Sequence, residues 1–149
     1  MAWSDDCAQV LHELCCDQPL AVLATACESA PYASLVAIAM TADLRRLYFA
    51  TPRATRKAAN LAGNPRVALL LDNRSNRLTD FTRAAAATVI GTAEELRGDE
   101  RASGLALYLE HHPHLAEFAA SPGTVLFVVT VTRISLVTRF QQVMDYDLR

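Results

Sequence analysis

The stretch YFATPRATRKAANLAGNPRVALLL, residues 48–71, decides how the rest of the chain is read. Its pattern gives a strand over Leu47–Ala50, a short connection, a helix over roughly Thr55–Leu61 and a second strand over Val67–Leu71. Gly63, Asn64 and Pro65 end the helix, with Gly63 as the C-cap signal. The connection and first helical turn carry Arg53, Arg56 and Lys57. Cations are unfavourable there, because the helix dipole and the free N–H groups of the first turn already present positive potential. An anion seated at the turn reverses that argument. Thr51 and Thr55 supply hydroxyl donors on either side, and Arg56 offers a forked grip on a phosphate. A phosphomonoester pocket is the economical reading. The alternative is that Arg56 and Lys57 merely snorkel over the surface.

Outward from this stretch the chain is mostly strands. LYFAT (47–51) is the hairpin partner of YASLVAIAMT (32–41) across the tip ADLRR. LAVLATA (20–26) is a short buried strand and ESAP (28–31) is turn chemistry. Ahead of them, SDDCAQVLHELC is an amphipathic helix with Ser4 as N-cap and Cys7, Val10, Leu11 and Leu14 at helical spacing. RVALLLDN finishes in the polar run DNRSNRLTDF, and RAAAATVIGTAEEL (83–96) is another strand. Gly91 inside it marks a bulge or a close backbone approach. DERASGLALYLEHHPHLAEFAA (99–120) is helical and broken near Pro113. TVLFVVTVTRISLVTRF (124–140) is too β-branched for a helix, and its length implies a strand that bends to join both sides of a closed sheet. Six or so antiparallel strands in hairpins, with few helices, predict a mainly β (α+β) Greek-key barrel forming one domain over 1–149.

The 149 residues are 52% hydrophobic, enough for a sizeable core, and the net charge of −2 argues against a nucleic-acid binder. That total conceals a segregation. Nine cations against two acids between Arg45 and Arg83 make the segment +7 and the remainder −9. A local basic field on an acidic chain suits a small anion; for Arg45, Arg46 and Arg77 a plain solvated surface is the better reading. Cys7, Cys15, Cys16 and Cys27 have neither metal-ligand nor disulfide spacing, which points to a reducing compartment. The acidic N-terminus is neither a signal nor a transit peptide, and no apolar run is long enough for a bilayer. A cytoplasmic location without membrane contact is expected. His111, His112 and His114 read as a solvated helix end, Cys27 as a packed thiol and Phe81 as core, so no metal site is expected. No Ser–His–Asp order, P-loop or dinucleotide-binding glycine fingerprint occurs.

The same stretch resembles the flavin-mononucleotide-binding split barrels of the pyridoxamine 5′-phosphate oxidase family. Those proteins carry strand–Thr–x₃–[Ser/Thr]–Arg–Lys–helix–Asn–Pro–Arg–Val–strand in this order. The likeness extends more loosely from about Pro19 to Phe140, through PYASLVAIAM upstream and ATVIGTAEEL downstream. It implies a six-stranded split barrel in which Thr51, Thr55, Arg56 and Lys57 hold the phosphate of FMN. Ser34, Leu35, Val36 and Ala37 would lie along the isoalloxazine ring, chiefly through backbone groups. It also implies a homodimer with a flavin at each interface site, where Asn73, Arg74, Ser75 and Asn76 would reach the flavin of the neighbouring subunit.

The departures from the oxidase are as informative. Leu35 and Met40 stand near the places of its ring-strand Arg and Lys, Ala86 stands near that of its flavin-side Gln, and RFQQVMDYDLR replaces its Trp-containing substrate segment. The flavin site reads as kept and the pyridoxamine phosphate site as absent. The expected activity is an FMN-dependent oxidoreductase acting on a small redox substrate, with no side chain identified as catalytic. A non-enzymatic flavin carrier or sensor, and a haem-handling protein on the same barrel, are the alternatives; a deazaflavin would suit the same pocket.

Overall fold

The structure, a computed structural model, describes residues 5–138 and 142–148. Its elements in chain order are α1 (Asp5–Asp17), β1 (Leu20–Cys27), β2 (Ala30–Met40), β3 (Arg46–Pro52), α2 (Arg56–Gly63), β4 (Arg66–Asp72), α3 (Asp80–Arg83), β5 (Ala85–Glu95), α4 (Gly98–His111), a 3₁₀ turn (Pro113–Leu115), α5 (Ala116–Ala120), β6 (Thr124–Thr138) and β7 (Gln142–Asp147). Strands run in the order β3-β2-β1-β4-β5-β6, every pair antiparallel, and β3 pairs with β6 to close a six-stranded barrel. β7 is an extra strand beside the far half of β6.

The long β-branched run behaves as its sequence implies. Thr124–Thr130 of β6 pairs with β3, while Phe127–Thr138 pairs with β5. The register slips between Ile90 and Gly91, bending β6 so that its end can leave β3 and receive β7. Gly91 is required by space: a Cβ there would collide with the Thr130 carbonyl and the Val129 side chain. Both readings of Gly91 hold at once.

Alternation along each strand fills the barrel. Leu23, Ile38, Phe49, Leu69, Val89 and Val129 point inward, and Phe49 stacks on Phe127 with ring centroids 5.3 Å apart. α1 closes one end with Leu11, Leu14 and Cys15; burial pushes the Cys15 thiol up to about 12, the behaviour of an inert packing group. α4 and α5 cover the outside of β2, β3 and β6 through a second cluster of Tyr48, Leu126, Tyr108 and Ala119.

Several local readings need correcting. Gly63 is the last helical residue of α2, and the cap is Asn64 in extended backbone (φ −147°), so the helix enters β4 without a left-handed residue. α3 is too short to show a period, and β7, acidic and exposed, reads as a tail. Ser4, and Arg139 and Phe140 at the end of the last expected strand, lie outside the described residues.

The β1–β2 turn carries strain. Cys27 pairs with Ala30, so Glu28 and Ser29 alone make the loop, with φ of 47° and 72°. Both centres being left-handed is the geometry that favours Asn-Gly. Glu28→Asn with Ser29→Gly is expected to stabilise the fold by about 1–2 kcal/mol and raise Tm by several degrees in a thermal melt. An unchanged Tm would mean the turn stores nothing.

Candidate functional site: an open strand edge beside a cationic helix start

β2 has one unsatisfied edge. Among the described residues it pairs with β3 only over Ile38–Met40, whereas from Ala37 back to Ala30 its one paired strand is β1. Thr41 N donates to Arg46 O (2.9 Å) and Ile38 N to Pro19 O (3.0 Å). Odd-numbered residues therefore turn their backbone groups towards β3, and even-numbered ones towards β1. The N–H and C=O of Ala33 and Leu35 face the gap. Val36 and Ser34 point inwards while Leu35 lies outside, so the four expected ring residues offer this site mainly their backbone. The Ser34 hydroxyl is out of water's reach and has no hydrogen-bond partner. Such a group costs about 1–3 kcal/mol until something meets it.

At one end of this edge stands α2. Thr55 is its N-cap, accepting from Ala58 N (3.3 Å) and donating to Pro52 O (2.9 Å). Thr51 is buried beneath it, the two hydroxyl oxygens 3.2 Å apart. The buried Asn60 anchors the helix by donating to Thr25 (3.0 Å). The first turn holds no acid. Of the three cations read there, Arg53 is otherwise engaged: it makes a two-pronged ion pair with Glu95 (3.2 Å each) and holds that carboxyl below its ordinary range. Among the described residues, neither Arg56 nor Lys57 meets a carboxylate. Arg56 lies 5.9 Å from the centroid of the Tyr32 ring, which sets the helix start beside the first half of the open edge. From Tyr32 to Ala37 is about 17 Å of extended strand. Thr51, Thr55, Arg56 and Lys57 thus gather at the start of α2, next to the end of the strand that carries Ser34–Ala37, and this donor set fits a phosphate tail followed by a hydrogen-bonding ring.

At the other end stands Tyr108 of α4, fully buried. Its hydroxyl donates to Ala37 O (3.1 Å) and is pushed up to about 12 by burial. His112, the C-cap of α4, is 3% exposed and places Nε2 2.6 Å from Ile38 O. This corrects the solvated histidine cluster: His111 and His114 are exposed, but His112 is built into the fold. Neither Tyr108 nor His112 carried a sequence signal, because their partners lie more than 70 positions away.

Asn73, Arg74, Ser75 and Asn76 lie elsewhere. Asn73 accepts from Ala85 N (2.8 Å), and Arg74 pairs with Asp72 (2.9 Å). The N–H groups of Ser75, Asn76 and Arg77 converge on the Asp80 carboxylate at 2.7–3.3 Å. These bonds, led by that from Ser75, hold the Asp80 carboxyl below its ordinary value of 3.8. A depressed folded value means that the loop is stabilised above the ordinary value and loses that support as pH falls through the folded one. Amide protection at Ser75–Arg77 is expected to persist to about pH 4, to fade below it, and to be missing in Asp80→Ala at every pH. Beneath this loop is a cleft of about 870 Å³ lined by Arg74, Leu78, Phe81, Ala86 and Val137 among others. β1 and β4 separate β2 from β5, three strand spacings or about 14 Å. Within one chain the loop and the open edge are separate places.

A model of the pyridoxamine 5′-phosphate oxidase family matches residues 7–138. No curated protein sequence matches the chain at a significant level. Among solved structures, a haem-binding protein from Mycobacterium smegmatis superposes with a TM-score of 0.84 at 20% identity, over 98% of this chain and 60% of that one. A protein related to general stress protein 26, from Clostridium acetobutylicum, gives 0.76 at 16% identity over 98% and 97%. An FAD-binding protein from Mesorhizobium loti gives 0.68 at 18% over 91% and 94%. The chain spans about 60% of the mycobacterial protein's length. Identities this low speak to fold alone, and the fold agrees with the match along the sequence. With all but its two ends inside that match and six antiparallel strands closed as a barrel around one core, the chain belongs to the pyridoxamine 5′-phosphate oxidase family.

Proposed function

We propose that the chain is an FMN-binding flavoprotein, working as a homodimer and passing hydride or electrons between a small redox substrate and an acceptor. One observation carries this reading: two cations that meet no carboxylate among the described residues crown the start of α2, beside a strand edge with no paired strand among them. Arg56, Lys57, Thr51 and Thr55 hold the phosphate, and the edge of Leu35 and Ala33 orients the ring through its N–H and C=O groups. When bound, FMN supplies hydride and electron chemistry; the protein supplies position and the exclusion of water. No general acid or base is assigned. The membership of the family and the FAD-binding neighbour support a flavin.

The test is the visible spectrum of the purified protein and identification of what denaturation releases, which also separates FMN from a deazaflavin. Steady-state oxidation of a reduced nicotinamide by the loaded protein then separates an enzyme from a carrier or sensor. Haem is the second reading, favoured by the haem-binding neighbour. His112 Nε2 is engaged by Ile38 O, so ligation would fall to His111 or His114. A Soret band on haem titration that is lost when both are changed supports haem; no band, with FMN released, removes it.

A further inference from the structure

We infer that Tyr108 and His112 are positioning residues for the ring-binding edge: Tyr108 stops β2 and β3 from pairing further and so keeps that edge open, and His112 fixes β2 from its β1 side. The inference rests on the FMN reading above, and its argument is one of register. Antiparallel strands continue to pair until something prevents it. Ile38 faces Phe49, so the next pair is Ala37 with Ala50, two small residues with nothing in their own chemistry to prevent bonding. Tyr108 takes that bond's acceptor for itself, its hydroxyl donating to Ala37 O at 3.1 Å. Two steps on, the same register would set Pro52 opposite Leu35, and proline has no N–H to give. Tyr108 blocks the one pair that could still form, and Pro52 weakens what would follow.

His112 does the matching work on the other side. The register of β1 puts Pro19 opposite Ile38. Pro19 accepts from Ile38 N but cannot donate in return, so Ile38 O lacks a strand partner. His112 Nε2 donates to it at 2.6 Å. Tyr108 and His112 are four residues apart at the end of α4, with ring centroids 5.1 Å apart, so a single helix end fixes two consecutive carbonyls of β2.

The experiment uses the full chain with Tyr108→Phe, His112→Leu and His112→Gln, each checked by thermal melt. Tyr108→Phe keeps the ring and removes the hydrogen bond to Ala37 O. In flavin-free protein it is expected to bring Ala37 and Ala50 into direct pairing, seen by NMR as a cross-strand amide contact absent from the parent. FMN should then bind about tenfold more weakly, with altered visible circular dichroism of the flavin. His112→Leu should show a similar loss, and His112→Gln, which retains an N–H donor, should restore parental binding. An Ala37–Ala50 spacing unchanged in Tyr108→Phe overturns the proposal, as does Gln behaving like Leu at position 112. If the parent takes up no FMN, the FMN reading fails, while the flavin-free Ala37–Ala50 contact still decides whether Tyr108 holds the strands apart.

Discussion

Replacing Arg56 and Lys57 together by alanine is expected to weaken FMN binding at least a hundredfold while leaving Tm within a few degrees. Each side chain would make a charge-assisted contact with the phosphate, worth about 1.5–3 kcal/mol. Two such contacts exceed the roughly 2.7 kcal/mol that a hundredfold change requires. The fold loses little, because Arg56 is exposed and neither side chain has an acidic partner among the described residues. Removing cations from a helix start even relieves a small dipole repulsion. Riboflavin, which lacks the phosphate, supplies the control: it should bind the parent weakly and the variant just as weakly. Arg53→Ala is the second control. It breaks the ion pair with Glu95 and should leave FMN affinity near parental. Parental FMN affinity in the Arg56/Lys57 variant would show that the cations do not serve a phosphate.

That Arg53 belongs with the controls could not be read from the sequence. Three cations within five positions look alike, and only the closure of the barrel brings Glu95, 42 positions on, up to one of them. The same physical distinction runs through the whole chain. What depends on local pattern was legible: the alternation of the strands, the break at Pro113, Thr55 as a hydroxyl at the helix start, Gly91 as a place without room for a side chain. What depends on closure was not. His112 looked like one of three solvated histidines because nothing near it reveals that Pro19 leaves a carbonyl bare. Tyr108 drew no reading at all, because its partner Ala37 lies 71 positions away. α3 and β7 escaped for another reason. Four residues cannot show a period, and Gln142–Asp147 is held by β6, its Asp145 and Asp147 meeting Arg133, rather than by burial of its own side chains. Of the candidate site, the hydroxyls and cations at the start of α2 were legible, and the far end of the open edge, set by α4, was not.

Leu70→Glu with Ile90→Glu is expected to turn the proposed dimer into a monomer and to weaken FMN binding with it, although neither residue belongs to the phosphate set Thr51, Thr55, Arg56 and Lys57. The outer face of β2, β1, β4 and β5 carries two cross-strand rows, Leu35–Val22–Leu70–Thr88 and Ala33–Ala24–Ala68–Ile90, with no charge in either. Leu35 is 63% exposed, Ile90 39% and Leu70 38%. A continuous apolar patch of this kind marks an interaction surface. The chain exposes 8960 Å², where a closed monomer of its mass would show roughly 7,500 Å². A two-fold interface repeats every substitution, so the double variant buries four carboxylates. Even about 1 kcal/mol for each raises the dissociation constant about a thousandfold. Light scattering at micromolar concentration reads the outcome. The link to the flavin follows from topology: β1 and β4 lie between the open edge of β2 and β5, which the 73–84 loop enters, so a second copy is what could bring the loop and the edge to a single ligand. A monomeric variant that binds FMN as tightly as the parent would sever that link, leaving the loop with no part in the site.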